Sequence, residues 1–256
     1  MILAIDIGNT NIVIGGFEAD ELRFKARIAT NAKKTEDEYA SKILNILSIH
    51  NVRSANVDGA IISSVVPPLN AIIKKAIKFA YGVDALLVGP GIRTGINIHC
   101  DNPSSVGADL ICACVAAHHI YGSPSLIIDM GTATKIMVMD KAGTFIGLSI
   151  IPGVEIALGA LASGTAQLPQ ISLEAPKSVI GKNTVDCMRS GVVFGNAAMI
   201  DGMIDLFSDE LGEDYPIYAT GGLSETIIKH CKHGITLDSD LVLKGLNIIY
   251  NKNKKD

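Results

Sequence analysis

Apolar positions along this chain come in short blocks whose spacing alternates between strand-like and helix-like. Residues 2–6, 11–17 and 21–30 read as three successive strands, with Gly15 and Gly16 near the end of the second. The spacing then turns helical over 35–50, where Tyr39, Ile43, Ile46 and Leu47 share one side. Thr35 with Glu38 three positions later predicts a capping box at the start of that helix. A buried strand over 59–65 is stopped by Pro67 and Pro68, and a helix over 69–81 and a short strand over 85–88 follow. Residues 89–102 are rich in glycine and polar side chains and read as a loop. Ser104 or Ser105 is placed to cap a helix that runs to Tyr121.

The opening pattern then returns. Residues 125–129, 134–140 and 143–150 again read as three strands, followed by helices over 154–163 and 184–209. A strand over 216–220, a helix after Gly221 and Gly222, a last helix over 239–251 and a solvated charged tail at 252–256 complete the reading. Leu3-Ala4-Ile5-Asp6-Ile7-Gly8-Asn9-Thr10 matches Ile127-Ile128-Asp129-Met130-Gly131-Thr132-Ala133-Thr134 in kind. Each is an apolar strand, Asp-x-Gly, a small polar residue and a second apolar strand, and the two aspartates stand 123 positions apart. A duplicated α/β unit of about 120 residues is the simplest account. The expected domains are 1–118 and 119–256.

Composition narrows the function classes. Of the 256 residues, 48% are hydrophobic and 19% charged, enough apolar material for a sizeable core. The net charge of −4 argues against nucleic acid as the main partner. No apolar run reaches the ~18–20 residues of a spanning helix, and the first residues carry no basic leader, so a cytoplasmic protein without membrane partners is expected. Cys100, Cys112, Cys114, Cys187 and Cys231 form neither a disulfide framework nor a zinc spacing and read as reduced thiols.

The repeated hairpin carries the candidate chemistry. A tight turn between strands leaves backbone N–H groups pointing outward, and Gly8 and Gly131 let a ligand come close. Hydroxyls of Thr10, Thr132 and Thr134 add donors, a combination suited to phosphate oxygens. Asp6 and Asp129, at strand ends, are placed to hold a cation, and Mg²⁺ favours one or two carboxylates plus phosphate oxygens. One Asp-x-Gly is commonly an ordinary turn; two at equivalent places in a repeat point to a nucleotide site. Ala219-Thr220-Gly221-Gly222 ends a strand and opens a helix, where glycine lets backbone lie flat against an adenosine. Asp109 near a helix start is either a general base or an acid complementing the helix dipole. Thr184 is either a binding residue or a helix-start residue beside Asn183.

These elements resemble the actin-like ATPase and sugar-kinase superfamily, whose members carry duplicated ribonuclease-H-like domains of α/β class with an ATP cleft between them. Further motifs narrow the likeness: Ser64-Val65-Val66-Pro67-Pro68-Leu69, Asp101-Asn102-Pro103, Val106-Gly107-Ala108-Asp109, Ile151-Pro152-Gly153, and Pro176 through Gly181-Lys182-Asn183-Thr184. With the two hairpins they resemble the type III pantothenate kinase family, in the family's order, from residue 6 to about 222. The resemblance implies ATP-dependent phosphorylation of pantothenate to 4'-phosphopantothenate, the first step of coenzyme A biosynthesis. It implies that Asp109 accepts the substrate's proton. It places ATP at Asp6, Ile7, Gly8, Asn9, Thr10, Asn11, Ile12, Val13 and Thr132, with Gly221 and Gly222 at the adenosine. It places pantothenate at Cys100, Gly107, Ala108, Asp109, Leu110 and Thr184, the last reaching in from a neighbouring subunit of a homodimer. It implies Mg²⁺ at Asp6 and a monovalent cation, K⁺ or NH₄⁺, at Asp129.

The chain departs from the family pattern at four places. Leu110 stands where Arg is common, Cys100 where Tyr is common, and Lys135 and Met137 where Thr and Asp are common. Lys135 brings a positive charge toward the second hairpin, where it competes with a monovalent cation. Two other readings stay open on the residues: a kinase of the same fold acting on another small alcohol, and a nucleotide-sensing accessory protein without catalysis.

Overall fold

Strand β1 (Ile2–Ile7) is apolar on both faces, and a strand of that kind needs cover on both. The computed structural model describes residues 1–254 and provides that cover. β2 (Asn11–Glu18) pairs antiparallel with β1, and β3 (Glu21–Ala29) antiparallel with β2. α1 (Glu36–Ile49) begins with the expected capping box: Thr35 N–H donates to Glu38 Oε2 at 3.0 Å and Glu38 N–H donates back to Thr35 Oγ1 at 3.4 Å. β4 (Gly59–Ser64) lies parallel to β1, α2 (Pro67–Tyr81) follows it, and β5 (Ala85–Leu87) lies parallel to β4. The resulting order is β3-β2-β1-β4-β5. Leu3, Ile5 and Ile7 pack with Tyr39, Ile43 and Ile73 on one face. Ala4 and Ile61 pack on the other face with Cys112 and Val115 of α3 (Ala108–Tyr121).

The expected loop over 89–102 contains a two-residue strand, β6 (Asn97–Ile98). Neither Ser104 nor Ser105 caps α3. Pro103–Ser105 forms a single tight turn, and the Gly107 carbonyl accepts the Ile111 N–H at 3.2 Å. The fixed φ of Pro103 favours that tight turn over an earlier helix start.

The second unit, residues 122–239, repeats the scheme. β7 (Ser125–Met130), β8 (Ala133–Met139) and β9 (Thr144–Pro152) form an antiparallel meander. α4 (Val154–Gly164) and α5 (Thr184–Leu211) follow. β10 (Ile217–Thr220), the short α6 (Ser224–Ile228) and β11 (Ile235–Leu237) close it. The strands run β9-β8-β7-β10-β11, with β10 parallel to β7 and β11 parallel to β10. This is the order of the first unit, as the sequence repeat implies, and it is the ribonuclease-H-like arrangement that the family resemblance implies. β11 had no signal of its own, being only three residues long. Among the described helices α5 alone is long and apolar enough to cross a membrane. Its Val192, Val193, Ala197, Ile200 and Ile204 belong to the core of the second unit.

The division of the chain differs from the expected 1–118 and 119–256. The closing helix α7 (Leu241–Asn253) belongs to the first unit, with residues 1–121. Leu243, Leu246 and Ile249 pack beside Cys112 and Val115, and a Cβ on Gly245 would overlap the Cys112 carbonyl oxygen. Such backbone-to-backbone closeness requires glycine, and no local pattern announces it. The helix also runs past the expected tail start at residue 252. Asn253 Nδ2 donates to the Arg93 carbonyl at 2.8 Å and its Oδ1 accepts the Arg93 N–H at 3.0 Å. Residues 255–256 of the expected tail lie outside the described residues.

Gly245→Ala is expected to destabilise the protein by about 1–3 kcal/mol through overpacking. Gly202→Ala, on α5 with open space at its Cβ position, is expected to be neutral or stabilising by up to about 1 kcal/mol. Urea unfolding midpoints of the two variants check the contrast.

Candidate active site

Strand alternation places Asp6 on the same face of β1 as Ala4, the face that α3 covers. Asp6 pairs across the sheet with Val13 and Ser63. Beyond it the chain turns. Gly8 N–H donates to the Asn11 carbonyl at 2.9 Å, Thr30 Oγ1 donates to the Gly8 carbonyl at 2.7 Å, and Thr30 N–H donates to the Thr10 carbonyl at 3.0 Å. The turn's carbonyls are thus held from within, while Asn9 and Thr10 are exposed. Ile7 and Ile12 are fully buried in the core, so at those two positions only backbone is available to a nucleotide. Asn11 and Val13 are half-buried.

Asp109 lies in the first turn of α3 and is half-buried. Its Oδ1 folds back so closely over Gly107 that a Cβ there would overlap it. One helical turn on, Cys112 is fully buried. Its thiol is pushed well above the ordinary value, first by burial, then by the negative charges of Asp6 and Asp109. One thiol therefore senses both carboxylates, one from a strand end and one from a helix start. Ala108 and Gly107 are half-buried beside Asp109, and Cys100 is half-buried as well. Leu110 is different: at 6% exposure its side chain is core material. The next helical position is rotated by about 100°, which turns Leu110 inward while Asp109 stays accessible.

Asp6 suits Mg²⁺ of the kind that arrives with a nucleotide. No cluster of three or more His, Cys, Asp or Glu side chains is present among the described residues. One carboxylate beside a turn with outward N–H groups is a donor set that fits an ion keeping water and phosphate oxygens as its remaining ligands.

The second hairpin is built alike but is not a copy. Ile7 pairs with Ile12 across residues 8–11, and Met130 pairs with Thr134 across residues 131–133, so the second turn is one residue shorter. Thr132 is exposed at its tip and Gly131 N–H donates to the Ala133 carbonyl at 3.2 Å. Thr134, expected to add a donor, is fully buried and pairs with Met130 on the face of the α4–α5 core. The Ile151-Pro152-Gly153 segment pairs with the turn and starts α4. A Cβ on Gly153 would overlap the Thr132 carbonyl, so this motif brings a helix N-terminus against the second hairpin. Asp129 lies on the face opposite the α4–α5 core, and Lys135 Nζ donates to its Oδ2 at 3.0 Å.

Gly221, at φ 98°, lets the backbone after β10 come against β7; a Cβ there would stand 2.5 Å from the Met130 carbonyl oxygen. Gly222 is exposed beside it. Asp129, Thr132 and Gly221 thus gather at the carboxyl ends of two adjacent parallel strands, the usual ligand end of an open α/β sheet. Thr184 is the exposed first residue of α5. Its neighbour Asn183 is the cap, accepting the Asp186 N–H on Oδ1 at 2.9 Å. Both border a cavity of about 590 Å³, with Lys182, Cys187 and Met188. The cavity itself had no sequence signal beyond the polar Gly-Lys-Asn-Thr run.

The type III pantothenate kinase family profile matches residues 2–206. A type III pantothenate kinase of Bifidobacterium animalis subsp. lactis is 44% identical over 254 residues, covering 99% of this chain and all of that one. One from Halalkalibacterium halodurans is 40% identical over 253 residues, covering 99% and 100%. An inorganic polyphosphate/ATP-glucomannokinase structure from Arthrobacter superposes with a TM-score of 0.51 at 12% identity, covering 98% of this chain and 99% of that one, a likeness of fold.

The buried thiols give a pH dependence. Burial also raises Cys114. Above about pH 9 the unfolded thiols lose protons while the folded ones keep them, so stability falls as pH rises. Each contributes a slope of about 1.4 kcal/mol per pH unit. Cys112→Ala should lessen that alkaline slope, measured by unfolding midpoints across the alkaline range; an unchanged slope would remove Cys112 as a cause.

Proposed function

Since this chain belongs to the type III pantothenate kinase family, we propose that it transfers the γ-phosphate of ATP to the primary hydroxyl of pantothenate. The products are 4'-phosphopantothenate and ADP, and the reaction opens coenzyme A biosynthesis. The observation that carries this reading is that α3 covers the face of β1 on which Asp6 lies and carries Asp109 in its first turn. A carboxylate at the start of a helix, beside a glycine and across from a phosphate-type turn, has the position of a general base.

Asp109 accepts the hydroxyl proton as the acceptor oxygen bonds to the γ-phosphorus. The bond from that phosphorus to the bridging oxygen breaks, and its electron pair leaves with ADP. Backbone amides of residues 8–11, with the side chains of Asn9 and Thr10, orient the phosphates. Thr132 and the N-terminus of α4 do the same from the second hairpin. Asp6 would hold Mg²⁺, which supplies charge neutralisation on the phosphate oxygens. Gly221 and Gly222 leave backbone open to the adenosine, and Gly107, Ala108, Asp109 and the half-buried Cys100 form the acceptor side.

The working unit in this reading is a homodimer in which Thr184 completes a neighbour's acceptor site. Val179 and Ile180, 66% and 78% exposed just ahead of Asn183 and Thr184, support a surface meant to be covered there. The net charge of −4 accords with small anionic substrates handled locally rather than nucleic acid. Five cysteines free of disulfides accord with a reducing, cytoplasmic setting.

Asp109→Asn should lower kcat about 100- to 10,000-fold while ATP binding and the unfolding midpoint stay near wild type. Phosphopantothenate formation with ATP and Mg²⁺, together with calorimetric nucleotide binding, is the measurement. A wild-type protein that binds ATP but leaves pantothenate unmodified would sink the assignment, and an unimpaired Asp109→Asn would take Asp109 out of the mechanism.

A further inference from the structure

The surroundings of Asp129 do not suit the monovalent cation that the family resemblance implies. Asp129 and Lys135 are directly opposed in the β7–β8 ladder, so their side chains rise from the same face of the sheet. Lys135 Nζ reaches Asp129 Oδ2 at 3.0 Å, and the two side chains are only 18% and 13% exposed. A K⁺ ion bound to this carboxylate would stand beside a lysine ammonium in a poorly solvated place, where like charges repel strongly. The equivalent partner of Asp6 in the first hairpin is Val13, which brings no charge. The ammonium is therefore a feature of the second hairpin alone.

We propose that the Lys135 ammonium takes the place of the monovalent cation at Asp129, so that turnover does not depend on added K⁺ or NH₄⁺. A lysine side chain ends in a primary ammonium, with the single positive charge and the hydrogen-bonding character of NH₄⁺. Being tethered, it holds its place at any salt concentration, whereas a free ion occupies the carboxylate according to its concentration. The charge beside the second phosphate turn is then constant. The inference rests on the kinase reading for its consequence, but the occupancy of Asp129 is a property of the second unit whatever the acceptor.

The test uses the full chain in buffer whose sole monovalent cation is tetramethylammonium, too bulky for a carboxylate pocket. KCl or NH₄Cl is added at constant ionic strength. Phosphopantothenate formation and the thermal unfolding midpoint are both read. The wild type should change in neither. Lys135→Met, which keeps the length and removes the charge, should be slow in tetramethylammonium. It should recover about tenfold or more with K⁺ or NH₄⁺, equivalent to about 1.4 kcal/mol, and its midpoint should rise with the same ions. Lys135→Arg should stay insensitive. A wild type that requires K⁺, or a Lys135→Met protein indifferent to K⁺ in both readings, overturns the proposal. If wild type makes no phosphopantothenate in any salt, the kinase reading fails and the midpoints alone decide the question at Asp129. Should Lys135→Met not fold, the wild-type titration decides it.

Discussion

A strand covered on both faces has almost nowhere to carry a charge except at its end. That constraint governs both units. β1 and β7 are each the middle strand of their sheet-forming set, apolar through their length, and each admits a single carboxylate one residue before its last. Burial makes such a carboxylate expensive unless something compensates it. A turn follows each carboxylate directly, and in the second hairpin the Lys135 ammonium pairs with it. A tight turn must follow directly, because the next strand returns antiparallel. The acidic group and the nest of N–H groups are thereby brought together by the path of the chain.

The same constraint explains how Asp109 enters the site. Asp6 faces α3 because alternate residues of β1 face alternate layers, and Cys112 and Val115 fix the helix over that face. With α3 seated there, its first turn lies toward the carboxyl end of β1. Glycine at position 107 leaves space for the Asp109 carboxylate to fold back. α7 lies beside α3 on the same sheet face and touches it through the Gly245 contact, so a helix far away in sequence helps set the position of the candidate base.

Much of this was legible in the sequence, and the reasons differ from element to element. The duplication was visible because Asp-x-Gly between two apolar strands, ordinary as a single turn, recurs at an equivalent place 123 residues on. The α1 cap was visible because Thr35 and Glu38 satisfy each other locally. What stayed hidden was decided by packing between distant segments. Gly245 reads as a poor helix residue until α3 lies against it. Thr134 reads as a donor until the pairing with Met130 turns it to the core face, and Leu110 reads as accessible until the turn of α3 points it inward. β11 was lost because three residues are too few to establish a period. The start of α3 was misplaced because serines before a helix satisfy the rule for caps equally well when they sit in a tight turn.

Lys135 lies between these cases. Its charge and its nearness to the hairpin were readable, but its partner was not. A strand pairing shifted by one residue would have sent the side chain to the apolar face instead. The observed register sets it opposite Asp129, and the shorter second turn is what fixes that register. In the first hairpin the longer turn sets Asp6 opposite Val13. Two hairpins of one ancestry therefore present their aspartates to different neighbours, through one residue of turn length and one substitution. A duplicated scaffold can in this way keep its fold and its turns while giving each carboxylate a different neighbour across the ladder, a valine in the first hairpin and an ammonium encoded in the chain in the second.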